Sequence, residues 1–98
     1  QTLLNNRTLL VVDDEEPIRR VLGYLLTSHG YTVEFAVDAR DARQKIKTQP
    51  IALILCDVNM PGESGMDLVR AVLADYPHTA AIMVTGLDSS VLANAAIA

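Results

Sequence analysis

The sequence has few of the features that mark secreted, membrane or repetitive proteins. It contains one cysteine among 98 residues, so an internal disulfide is impossible, and we expect a reducing, cytoplasmic compartment. No apolar run approaches the ~20 residues of a membrane-spanning helix, and neither a signal peptide nor a repeat is visible. The length is that of one domain, which we assign to residues 1–98.

Positive charge is also scarce. Lysine and arginine together number 8 against 12 acidic residues, giving a net charge of −4. This balance argues against direct binding of nucleic acid through phosphate contacts. It favours a cation or a basic partner surface instead. Half of the residues are hydrophobic, which is enough for a modest core at this length.

Apolar strands and amphipathic helices alternate along the chain, which predicts parallel βα units and an α/β fold. We predict strands at 9–12, 32–37, 51–56 and 80–84. The second strand alternates polar and apolar residues, as edge strands do, whereas the third is wholly apolar and therefore central. These properties predict the strand order 2-1-3-4, with the winding reversed between strands one and three.

Capping residues and apolar stripes place the helices. The first helix begins near Pro17 and ends at Gly30, with an inner stripe of Ile18, Val21, Leu22, Leu25 and Leu26. The second runs from its cap Asp38 to about Thr48, and its basic residues are assigned to the solvated face: Arg40, Arg43, Lys45 and Lys47. The third starts at Ser64 or Gly65, and five residues are expected to face the core: Met66, Val69, Val72, Leu73 and Tyr76. Asp88 or Ser89 caps a fourth helix.

Carboxylates follow the two strands that flank the reversal. Asp13 and Asp14 end the first strand, Asp57 ends the third, and Thr85 ends the fourth. Because ligands of open α/β sheets bind at this edge, the three acids predict an oxygen-rich site for Mg²⁺ or Mn²⁺. Their mutual repulsion should raise at least one pKa until a cation binds. The alternatives are an acidic helix start for the pair, an Asx-turn for Asp57 and an ordinary loop residue for Thr85.

Three motifs in register with the βα units carry a resemblance: Asp13-Asp14, Asp57-x-x-Met60-Pro61-x-x-x-Gly65 and Thr85-Gly86. The chain resembles the receiver domain of two-component response regulators, of the chemotaxis-regulator-like type, over nearly its whole length. The resemblance implies a flavodoxin-like three-layer sheet, and phosphoryl transfer to Asp57 from a histidine kinase or phosphotransfer protein. It implies Mg²⁺ bound by Asp13, Asp14, Asp57 and the main-chain carbonyl of Asn59. It also implies that the Thr85 hydroxyl contacts the phosphoryl group and that the strand four–helix four surface switches.

The family's fifth strand, with its phosphate-contacting lysine, and its fifth helix have no counterpart here, since lysine occurs only at 45 and 47. We therefore expect a C-terminally truncated receiver domain, with a possible effector domain beyond the chain. The missing unit would leave strand four as an open edge and strands three and four bare on the side of helix one. Such surfaces favour a homodimer or a swapped oligomer.

The main interpretation is a self-phosphorylating switch and not a turnover enzyme. The alternative is a receiver-like interaction module whose phosphorylation site is impaired by the missing lysine. A phosphatase or phosphotransferase with a nucleophilic aspartate is disfavoured, because position 59 would have to supply a general acid and holds Asn59. Cys56 is assigned to the core because no histidine is placed to activate it.

Overall fold

The computed structural model describes residues 7–84, and within them strands and helices alternate as predicted. The elements are β1 (Thr8–Val12), α1 (Glu16–Ser28), β2 (Thr32–Ala36), α2 (Ala39–Thr48), β3 (Leu53–Asp57), α3 (Gly65–Asp75) and β4 (Ala80–Val84). All strand pairs are parallel, in the order β2-β1-β3-β4. The predicted flavodoxin-like α/β fold and its strand order are thus confirmed. Thr85 and the predicted fourth helix lie outside the described residues.

The third strand is displaced from its predicted bounds of 51–56. It runs from Leu53 to Asp57, so Asp57 is the last residue of the strand itself. Ile51 is buried just before the strand, where its carbonyl accepts a hydrogen bond from the Thr79 hydroxyl at 2.8 Å. The second strand ends at Ala36 and not at position 37, because the Val37 amide donates to a side chain of α2.

The main core lies between the sheet and the helices α2 and α3. Because side chains alternate along a strand, one face of β1 and β3 supplies Leu10, Val12, Ile54 and Cys56, all less than 2% exposed. The two helices cover them with Ala39, Ala42, Ile46, Leu68, Val69 and Val72. The predicted cap Asp38 is confirmed, since its side chain accepts a hydrogen bond from the Asp41 amide. The third helix begins at Gly65, one of its two predicted starts, and the Ser64 side chain caps it by accepting from the Asp67 amide.

Three residues that were expected to face the core are exposed. Met66 and Leu73 of α3 are 42% and 45% exposed, because its buried line passes through Gly65, Leu68, Val69 and Val72. At 3.6 residues a turn, Met66 and Leu73 lie about 90–110° from the centre of that line. Leu25 of α1 is likewise 46% exposed.

The inner face of α1 turns Gly23 towards β2. A β-carbon at position 23 would overlap Cζ of Phe35 and lie 3.0 Å from its Cε1, so the glycine makes room for the aromatic ring. Ile18 is fully buried on the same helix. The contact holds α1 over β1 and β2. On that side of the sheet, no helix among the described residues covers β3 and β4.

The uncovered region is an apolar groove of about 410 Å³. Its floor includes Leu53, Leu55 and Ile82, and Leu26 and Tyr31 stand at its side. Ile82 is 49% exposed. Within residues 7–84, β3 and β4 thus have an uncovered face on the α1 side of the sheet, where the sequence predicted one.

The outer edge of β2 is occupied by side chains of α2. The Asp13 amide donates to the Ala36 carbonyl, so alternate residues of β2, including Phe35, direct their main-chain groups away from β1. The Lys45 ammonium donates to the Phe35 carbonyl, and the Asp41 carboxylate accepts from the Val37 amide at 3.1 Å. The assignment of Lys45 to a purely solvated helix face was therefore wrong.

Candidate functional site

The structure brings Asp13, Asp14 and Asp57 together at the carboxyl ends of β1 and β3. Each residue offers one carboxylate oxygen, and the three oxygens lie within 4.8 Å of one another. The register explains the meeting, because Val12 pairs with Cys56 and the residues that follow each stand at the same edge. The juxtaposition expected from the sequence is present, whereas the roles of these residues stay predictions.

The three carboxylates differ in environment. Asp13 is only 4% exposed, Asp57 is half-buried and Asp14 is exposed. Burial raises the pKa of Asp13, and repulsion from Asp57 and Asp14 adds to the rise, while a hydrogen bond from the Glu15 amide opposes it. The site therefore carries a carboxylate that is costly to ionise without a nearby cation.

Asp13 and Asp57 are held in the same way. The Glu15 amide donates to Oδ1 of Asp13 at 2.9 Å, and the Asn59 amide donates to Oδ1 of Asp57 at 3.1 Å. Each is an Asx-turn contact, so the alternative interpretation of Asp57 describes its geometry correctly without excluding a chemical role. Within residues 7–84, Oδ2 of both carboxylates is left without a hydrogen-bond donor.

This arrangement fits a small, hard divalent cation. Carboxylate oxygens are the ligands that Mg²⁺ prefers, and oriented Asp13 and Asp57 beside exposed Asp14 supply three of them. Asn59 is exposed directly beyond Asp57, and its main-chain carbonyl stays a predicted ligand. Thr85 stays a predicted phosphoryl contact and lies outside the described residues.

The basic side chains of Arg19 and Lys45 bind main-chain carbonyls and not the three carboxylates. Arg19 of α1 donates through Nη1 to the main-chain carbonyl of Asp13 at 2.7 Å, a contact that no sequence pattern predicted. Lys45 is bound to β2, and Lys47 is exposed near the opposite ends of the strands, beside Pro50. Neither lysine of the chain is placed among the carboxylates.

Arg43 also departs from its assignment to the solvated face of α2. Its guanidinium binds Glu63 with two parallel hydrogen bonds, one of them from Nε to Oε1 at 2.9 Å. Glu63 lies in the loop between Asp57 and α3, so a residue expected on a solvated face contacts the loop that follows the site. No spacing rule links positions 20 residues apart, and only the three-dimensional fold shows the pair.

Cys56 is the buried neighbour of Asp57. Burial, with the negative charges of Asp57, Asp13 and Glu63, raises the pKa of its thiol to about 12. A thiol with such a pKa is protonated at neutral pH and is a poor nucleophile. The geometry agrees with its assignment to the core.

Comparison with known proteins places this chain in a family. The model of the response regulator receiver domain matches residues 9–98. The chain therefore belongs to the response regulator receiver domain family. Among the described residues, no helix combines the length and apolarity needed to cross a membrane.

Three solved structures illustrate the similarity. A chemotaxis response regulator of Vibrio cholerae is 34% identical, with a TM-score of 0.79, over 91% of this chain and 76% of that one. A response regulator of Thermotoga maritima in complex with Mg²⁺–BeF is 29% identical, with a TM-score of 0.79, over 84% and 71%. An adenylate cyclase of Rhodopirellula baltica is 27% identical, with a TM-score of 0.76, over 94% and 68%.

Proposed function

We propose that the chain is a phosphoacceptor switch in which Asp57 receives a phosphoryl group from a histidine kinase or phosphotransfer protein. The observation that carries the proposal is the half-buried Asp57 carboxylate, oriented through Oδ1 and lying beside Asp13 and Asp14. The Mg²⁺–BeF complex of the Thermotoga maritima relative supports it. On this proposal the protein is cytoplasmic, and an effector domain receives the signal. The similarity to an adenylate cyclase supports the existence of such effectors.

In the proposed step, a carboxylate oxygen of Asp57 bonds to phosphorus while the bond from phosphorus to the donor's imidazole nitrogen breaks. The electron pair stays on that nitrogen, and the product is an acyl phosphate on Asp57. Water later attacks the phosphorus, releasing inorganic phosphate and the free carboxylate. The protein thus resets itself and is a switch, not a turnover enzyme.

The other site residues bind and orient. Asp13, Asp14, Asp57 and the Asn59 carbonyl would hold Mg²⁺ (or Mn²⁺), and the bound ion would neutralise charge on the incoming phosphoryl group. The Asn59 amide fixes the rotamer of Asp57 through Oδ1. The Thr85 hydroxyl would then donate to a phosphoryl oxygen, which couples phosphorylation to the surface of β4 and the helix predicted after it.

The test is exposure of the wild type and of Asp57→Asn to acetyl phosphate and Mg²⁺, followed by borohydride trapping and mass spectrometry. We expect one label, on Asp57, that requires Mg²⁺. Persistence of the label on another acid in Asp57→Asn would refute the assignment. Asp14→Asn is the companion variant, because it should weaken Mg²⁺ binding without removing the acceptor.

A second candidate is a receiver-like interaction module with an impaired site. It is favoured by one observation: both lysines of the chain lie on α2, away from the carboxylates. A beryllofluoride titration with and without Mg²⁺ separates the candidates. Mg²⁺-dependent saturation supports the switch, and its absence with an intact fold supports the module.

A further inference from the structure

The loop of residues 58–64 joins Asp57 to α3 and contains the predicted ligand Asn59. Its two ends are fixed by main-chain hydrogen bonds, since the Val58 amide donates to the Val84 carbonyl and the Gly65 amide donates to the Val58 carbonyl. Between these anchors, Met60 packs against the core between the sheet, α2 and α3. The polar contacts of the middle of the loop therefore decide how firmly Asn59 is held beside Asp57.

Within residues 7–84, one ion pair ties this loop to another element. It is the two-point pair of Arg43, on α2, with Glu63. The pair is partly shielded, with side chains 41% and 32% exposed. The hydrogen bond from Arg43 lowers the pKa of the Glu63 carboxyl, so the pair favours the ionised form of Glu63. A bidentate pair fixes the orientation of both planes, which a single point charge does not.

We propose that Arg43 is a positioning residue, which holds the 58–64 loop through Glu63 so that Asn59 stays in place to orient Asp57 and to bind the cation. Arg43 itself touches neither the carboxylates nor the phosphoryl group. The inference rests on the proposed Mg²⁺-dependent function. It adds a residue of α2 to the parts of the fold that determine cation affinity.

Positioning and simple charge make opposite predictions for the effect of Arg43→Gln on cation affinity. If Arg43 acted only through its charge, Arg43→Gln would make the site more negative and tighten Mg²⁺ binding, and Glu63→Gln would weaken it. If the pair positions the loop, both single variants weaken binding, and the double variant is no weaker than either because the same interaction is lost. Arg43→Lys keeps the positive charge but cannot form the bidentate pair with Glu63. Positioning therefore predicts a loss of Mg²⁺ affinity in this variant, and charge alone predicts none.

The experiment measures Mg²⁺ dissociation constants by calorimetry and beryllofluoride saturation at fixed Mg²⁺, with the free energy of unfolding in EDTA measured alongside. We expect Arg43→Lys, Arg43→Gln and Glu63→Gln each to weaken Mg²⁺ binding about 3- to 10-fold, with no further loss in the double variant. Arg70→Gln is the matched control. It removes the same charge from an exposed pair with Asp67 at 3.7 Å on α3 and should not weaken binding.

A second readout does not depend on the metal. Amide hydrogen exchange in EDTA should be faster at Asn59 in Arg43→Gln and Glu63→Gln than in the wild type, and unchanged in Arg70→Gln. Three results would each overturn the inference. They are an unchanged exchange rate at Asn59 in Arg43→Gln and Glu63→Gln, additive effects of opposite sign on Mg²⁺ affinity in these variants, and a loss of global stability with normal Mg²⁺ affinity. Failure of the wild type to bind Mg²⁺, or equal binding by Asp57→Asn, would instead overturn the proposed function, and the exchange data would still decide the role of Arg43 in holding the loop.

Discussion

Gly65 lies against the main chain of Asp57. A β-carbon at position 65 would overlap the Asp57 carbonyl oxygen and stand 2.9 Å from its carbonyl carbon. Both atoms belong to the backbone of a central strand, so they cannot move aside as a flexible side chain would. The first turn of α3 can approach the end of β3 only because residue 65 has no side chain.

We therefore predict that Gly65→Ala destabilises the protein by about 3 kcal/mol, the upper range for overpacking a tight site, and also weakens Mg²⁺ binding by displacing Asp57. Gly62→Ala is the control. Gly62 has φ +81°, and a β-carbon there would meet no atom within 4 Å, so only the backbone strain of about 1 kcal/mol is expected. Urea unfolding in EDTA measures both. An equal loss of unfolding free energy in the two variants would contradict the close approach of Gly65 to the Asp57 main chain.

The buried carboxylate of Asp13 predicts a pH effect. The pKa of Asp13 is raised above the ordinary 3.8 in the folded state. Between these two pKa values, the folded protein keeps a proton that the unfolded protein has lost. The stability linked to that proton is present below pH 3.8 and is lost as the pH rises through the raised value. Above the raised value this stability is gone, so the buried carboxylate of Asp13 lowers the stability of the metal-free fold.

Asp13→Asn should accordingly raise the melting temperature in EDTA at pH 7, since the amide oxygen can still accept from the Glu15 amide. The same variant should lose the stabilisation that Mg²⁺ gives the wild type. Asp14→Asn, at an exposed position, should raise the metal-free melting temperature less. Calorimetric scans with EDTA and with Mg²⁺ provide the measurement. A lower melting temperature of Asp13→Asn in EDTA would show that ionisation of Asp13 is not the dominant cost.

The hydroxyl of Thr85 should separate phosphoryl recognition from cation binding. We predict that Thr85→Ala leaves Mg²⁺ affinity unchanged and weakens beryllofluoride binding about 10-fold, the loss of one hydrogen bond to a charged group. Thr85→Ser keeps the hydroxyl and serves as the control. A loss of Mg²⁺ affinity comparable with that of Asp14→Asn would contradict this division of roles.

The apolar groove beside α1 predicts self-association. Ile82 is 49% exposed on a strand that also has an open edge within the described residues. We expect light scattering of the 98-residue chain to show a mass that rises above the monomer with concentration, and Ile82→Ser to reduce it. Leu73→Ser is the control, because Leu73 is 45% exposed on α3, away from the groove. A monomer at every concentration would refute the prediction.

The sequence predicted what depends on local patterns. Strand order follows from which strands alternate and which are wholly apolar, and the meeting of Asp13 with Asp57 follows from parallel strands ending at one edge. The capping role of Asp38 is a local hydrogen bond and was also predicted, as was the start of α3 at Ser64 or Gly65.

What the sequence did not predict depends on packing between distant segments. The inward line of α3 passes through Leu68 and excludes Met66, because it is set by the helix's position over the sheet. The pairing of Arg43 with Glu63 and the contact of Arg19 with Asp13 join elements whose separation in the chain carries no periodic signal. The hydrogen bond of the Thr79 hydroxyl to the Ile51 carbonyl, just before β3, likewise joins residues 28 positions apart.

The side chains of Lys45 and Asp41 make the two margins of the sheet unequal. Along β2, an incoming strand would have to displace the ammonium from the Phe35 carbonyl and the carboxylate from the Val37 amide. Along β4, the described residues place no such obstacle, and its sequence from Ala80 to Val84 carries no charge. Within residues 7–84, an additional strand, from this polypeptide or from another, can therefore pair with β4 without breaking a contact, whereas pairing with β2 would first have to break these two.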